Sequence, residues 1–115
     1  MQGYQNTVIG GSNGVIGNQN VVNGVNNLVY GQGNTVFYQQ NQVAGNGNAV
    51  GGILNEVKGN NNQVIGGLNY VYGSSNGVEG NSNGVYGSQN QAVGTGNNVL
   101  GNQNIASGNK NLIVG

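Results

Sequence analysis

From Gly3 to Val114 the chain repeats every seven residues without one insertion or deletion, as 16 units of the form G-x-x-N-x-V-x. The fourth position is Asn in every unit: Asn6, Asn13, Asn20, Asn27, Asn34, Asn41, Asn48, Asn55, Asn62, Asn69, Asn76, Asn83, Asn90, Asn97, Asn104 and Asn111. The sixth is Val except at Ala92, Ala106 and Ile113, and the first is Gly except at Tyr38. A phase held over this length requires a structural repeat, because drift in a disordered Asn-rich tract would not preserve it.

Period seven first suggests a coiled coil, and the residue types argue against one. Gly at the first position costs about 1 kcal/mol per unit inside a helix. Val and Asn are poor helix formers, and the charges that flank a coiled-coil seam are missing. The triplet N-x-V instead has period two, with Asn and Val on one side of a strand and the residue between them on the other. Gly-x-x is turn chemistry. Each unit therefore reads as a short strand plus a tight turn. Two units close one coil, so the fold expected is an all-β solenoid, a β-roll of about eight 14-residue coils forming one domain over residues 1–115. At about 4.8 Å per rung it would be roughly 35–40 Å long. The valines of facing strands would meet inside. Each Asn, at the inner edge of a turn, would bond turn backbone and its own copies above and below, forming an Asn ladder. Gly14, Gly77 and Gly84, which follow an Asn, read as strand positions rather than hairpin turns.

Composition narrows function by subtraction. Only Glu56, Lys58, Glu79 and Lys110 are charged, and there is no His, Cys, Arg, Asp or Pro. A Ser/His or Cys/His nucleophile pair cannot be assembled. Glu56 and Glu79 fall on opposite faces of the roll, which excludes a carboxylate pair. No cofactor, no metal and no catalytic residue is expected, and the chain reads as a non-enzyme. Steering of nucleic acid is not expected at this charge, nor is insertion into a membrane without an 18-residue apolar run. Glu56 and Lys58, two apart on one outward face, are expected to pair in solvent.

Odd and even units form different faces. The outward positions of the even face carry Tyr30, Tyr70, Tyr72, Tyr86 and Leu100, and that face is the more apolar. A core of sixteen small side chains is thin, so burial of this face against a second copy is expected, giving a homo-oligomer, trimer or dimer.

The repeat resembles the head domains of YadA-like trimeric autotransporter adhesins. These carry S-x-A-x-G-x-x units, two per 14-residue coil, with Asn and Val here in the slots of Ser and Ala, as in Asn62-Gln63-Val64-Ile65-Gly66. The resemblance implies a left-handed roll, trimerised through an apolar face and serving as an adhesive or spacer outside the cell or at its surface, toward a host surface. The chain would then be a segment of a longer repeat protein. Two other functions stand beside that one. A carbohydrate-binding module would use the Tyr30, Tyr72 and Tyr86 row to bind a glycan. An ice-binding solenoid would want a Thr row, and only Thr7, Thr35 and Thr95 exist, not stacked on one another.

Overall fold

A computed structural model describes all 115 residues. It is a parallel β-solenoid of eight coils with no helix. One sheet consists of β1 (Thr7–Ile9), β3 (Val21–Val25), β5 (Thr35–Gln39), β7 (Ala49–Ile53), β9 (Gln63–Gly67), β11 (Gly77–Asn81), β13 (Gln91–Thr95) and β15 (Ile105–Asn109), stacked in that order. The other consists of β2 (Gly14–Asn18), β4 (Leu28–Gln32), β6 (Gln42–Asn46), β8 (Glu56–Asn60), β10 (Tyr70–Ser74), β12 (Gly84–Ser88), β14 (Asn98–Asn102) and β16 (Leu112–Val114). Every pairing is parallel and sets residue i beside residue i+14, as in Val71 beside Val85. The body measures 39 × 20 × 12 Å, the length expected of eight rungs. Gly14, Gly77 and Gly84 each open a strand, as the strand reading requires.

The interior is a double column of one side-chain layer. Val15, Val22, Val29 and their equivalents to Ala106 are buried, with Val8 and Ile113 half-buried at the ends. β-Branched Val suits this place, since a pleated strand accepts its stiff χ1 and the roll is narrow, with the larger Ile113 only at its end.

The corner is made differently from the Gly-x-x turn that the sequence suggests. The residue just before each ladder Asn takes the left-handed conformation in all 16 units, at φ of 56–69°. It is Gly only at Gly33, Gly47 and Gly96; elsewhere it is Gln, Ser, Asn, Lys or even Leu, at Leu54 and Leu68. The repeat glycine instead lies inside the strand and serves close approach. A Cβ built on Gly66 would stand 1.8 Å from the Gly80 carbonyl oxygen one coil on, and Gly17, Gly31, Gly45 and Gly59 are as tight. Tyr38 holds this slot at φ 83° and keeps register with Gly24 and Gly52, so it makes no bulge.

Candidate functional surfaces

The Asn ladder is the most regular polar feature. Asn20 to Asn97 are buried, and Asn6, Asn13, Asn104 and Asn111 are half-buried at the ends. Asn62 shows the pattern. Its Nδ2 donates to Asn48 Oδ1 at 3.1 Å and to the Gly73 carbonyl at 2.9 Å. Its Oδ1 accepts from the Asn76 backbone N–H at 3.0 Å and from Asn76 Nδ2 at 3.1 Å. One primary amide thus satisfies four bonds across three coils, which no other side chain of this length can do. No buried side-chain nitrogen or oxygen is left without a partner. These residues hold the fold and are turned away from any ligand. A second, broken row lies outside it: Asn18, Asn46, Asn60, Asn81, Asn102 and Asn109 each accept a backbone N–H from the preceding coil. That row escaped the sequence reading, because its position also holds Gly, Val, Gln, Ile, Ser and Thr.

On the even sheet Tyr30, Tyr70, Tyr86 and Leu100 are exposed, while Tyr72 is half-buried. Tyr72 and Tyr86 stack with centroids 5.4 Å apart and planes within 3°. Stacked rungs therefore turn these rings' faces toward one another along the roll, rather than outward as a platform for a sugar ring. Lys58 pairs with Glu56 at 3.2 Å and lies 5.3 Å from the Tyr72 centroid. The Tyr72 hydroxyl donates to Glu56 Oε1 at 2.9 Å. That bond, then burial, then the Glu56 charge disfavour the phenolate and push Tyr72 up to about 12 from an ordinary 10. Because the folded value is the higher, the neutral phenol's contribution to stability is complete below pH 10 and is lost as pH rises toward about 12. Absorbance titration should show one of the six tyrosines ionising late, and Glu56→Gln should remove that late phase. A late phase unchanged by the substitution would contradict this assignment.

The odd sheet differs in texture. Its fifth-position column begins Thr7, Val21, Thr35, Ala49, four short side chains on successive rungs. Ile9, Ile65, Val93 and Ile105 add exposed branched groups, and Glu79 is the face's only charge. The seventh-position column is interrupted at Gly51. There an open apolar trough of about 740 Å³ lies between Phe37 and Ile65, floored by Gly51 and Gly52.

A family model described as the grass antifreeze beta roll matches residues 40–115. The chain belongs to that family. No curated protein and no solved structure gives a match. Membership in the grass antifreeze beta roll corrects the resemblance to YadA-like heads. Coil length is shared, but the units here are built on Asn and Val, where those heads use Ser and Ala. The Asn amide joins three coils through both its oxygen and its nitrogen, and Val fills a wider interior than Ala would. Residues 1–39 lie outside the match yet keep the same register and ladder.

Proposed function

We propose that this grass antifreeze beta roll binds ice through its odd-numbered sheet, without catalysing a reaction. The observation that carries the reading is the match of residues 40–115 to the antifreeze roll, combined with a stack of parallel rungs in register that repeat about every 4.8 Å. Water over such a face meets methyl groups and backbone at fixed intervals. Short side chains with few rotamers hold that spacing over the first half of the fifth-position column, where Thr7, Val21, Thr35 and Ala49 supply methyls with two hydroxyls among them, before Gln63, Gly77, Gln91 and Ile105 continue it. Adsorption to a crystal loses little conformational entropy, since the ladder has already ordered the surface. The even sheet suits this less well, because it carries the Lys58–Glu56 ion pair and four of the six tyrosines. The family match also supports a place outside the cell for this protein.

Ice recrystallisation and thermal hysteresis assays on dilute protein test the reading. Wild type should slow grain growth. The double variant Val21→Lys/Thr35→Lys should lose most of that effect, since two long hydrated ammonium groups would hold the face off the crystal. Tyr30→Lys, on the other sheet, should retain it. An inert wild type, or a double variant as active as wild type, would refute ice binding by this face.

A further inference from the structure

We propose that the trough at Gly51 receives Phe37 of a second copy of this chain, forming a twofold dimer of odd sheets packed face to face. Phe37 is an exposed ring at the seventh position of β5, and Gly51 is the empty seventh position of β7, the next rung in the same column. Knob and hole are therefore neighbours on one column. A twofold axis parallel to the strands, midway between β5 and β7, exchanges the two rungs. It sets Phe37 over the partner's Gly51 and, by symmetry, the partner's Phe37 over Gly51. This is the self-complementarity that an isologous contact needs.

The rest of the face agrees with that axis. Thr35 falls opposite the partner's Ala49, and Ile65 opposite the partner's Asn23, so larger groups meet smaller or polar ones. At the last overlapping rung Glu79 falls opposite the partner's Ile9, and its carboxylate stays at the rim, where solvent reaches it. Six rungs overlap, a patch of about 29 Å by roughly 17 Å, burying on the order of 1,000 Å² in total. That lies at the lower limit of specific interfaces, so the dimer is weak and concentration-dependent; it covers the sheet proposed to bind ice, which only the dissociated monomer presents. A second observation marks the same place. Tyr38, on the trough's rim, is the one non-glycine in its column and is held at φ 83°. Unrelieved backbone strain of this kind concentrates where a surface is used.

Sedimentation over a wide concentration range, in ice-free solution, tests this independently of the ice reading. The wild-type mass should rise from 11.6 kDa toward twice that value. Phe37→Gly, which removes the knob, and Gly51→Phe, which fills the hole, should each stay monomeric. The added group has room, since nothing lies within 4 Å of a Cβ at Gly51. The exchange Phe37→Gly/Gly51→Phe moves knob and hole by one rung and should recover the dimer, a result that misfolding cannot mimic. A wild type that stays monomeric throughout would overturn the proposal. So would single variants that dimerise like wild type, an exchange variant that remains monomeric, or dissociation by Tyr70→Ser/Tyr86→Ser instead.

Discussion

Asn62→Asp is expected to unfold the roll at neutral pH and to let it refold in acid. The substitution keeps the shape and the acceptor that serves Asn76. It replaces the amide donor with a carboxylate oxygen aimed at Asn48 Oδ1 and the Gly73 carbonyl, now about 3 Å from two acceptors with no donor between them. A buried charge so placed costs several kcal/mol, against a total stability of about 5–15 kcal/mol. The folded state therefore favours the protonated acid, whose O–H can donate to one of the two oxygens. Its folded-state pKa lies above the unfolded value, so stability returns as pH falls below the folded value. Asn62→Ala is the companion variant. It leaves the Asn76 N–H without its partner, at about 1–3 kcal/mol, and removes one bond to the Gly73 carbonyl; its loss should be insensitive to pH. Circular dichroism melts of both variants from neutral to acid pH decide the matter. If Asn62→Asp melts with wild type at neutral pH, or gains nothing relative to Asn62→Ala in acid, the ladder does not act as described.

Gly66→Ala is expected to be nearly as damaging, for a steric reason. Its Cβ would stand 1.8 Å from the Gly80 carbonyl oxygen and 2.7 Å from that carbonyl's carbon, at φ 129°. Backbone cannot swing aside as a side chain can, so the coils must part or the local φ must shift. Tyr38 shows the second outcome, at φ 83° where its column neighbours Gly24 and Gly52 stand at 145° and 132°. We expect a loss of about 3–5 kcal/mol, comparable to other severe backbone and packing lesions, which lowers Tm by roughly 10–20 °C in a chain of this size. Gly77→Ala is the control. Its Cβ meets only Gln91 Cγ, at 4.0 Å, and its φ is unstrained, so Tm should hold or rise slightly. Equal melting of the two variants would show that close stacking is not what holds Gly in this column.

The architecture was legible because its determinants are periodic. Asn at the fourth position of every unit and Val at the sixth of nearly all led directly to the coil length, the two sheets, the valine column and the amide ladder. The corner was not legible, because the left-handed residue precedes Asn and is Gln89, Leu68 or Lys110 as readily as Gly. Its conformation is imposed by the neighbouring coils, whose bonds outweigh a penalty of about 1 kcal/mol at that position. The outer Asn row was hidden for a similar reason, since a backbone N–H at a solvent-facing corner can also turn to water. The surfaces proposed for function were the least legible. The Tyr row drew attention to the even sheet, yet there the rings of Tyr72 and Tyr86 stack on each other and Tyr72 bonds Glu56. The trough required knowing that Phe37, Gly51 and Ile65 share one column, which the repeat implies. It also required knowing that no side chain from elsewhere fills the gap, which only coordinates show.

The amide ladder has a direction. Ladder oxygens accept from the coil that follows, whereas backbone bonds run both ways, Thr7 N–H toward the following coil and Gln19 N–H toward the preceding one. The main-chain dipoles largely cancel, as in other sheets, but the ladder dipoles add, opposed in part by the six outer Asn, whose oxygens face the preceding coil. The roll is thus polarised along its length like a bar of electret, its low-numbered end positive and its high-numbered end negative. Each further coil would lengthen that separation of charge in a molecule with almost no ionised groups to mask it.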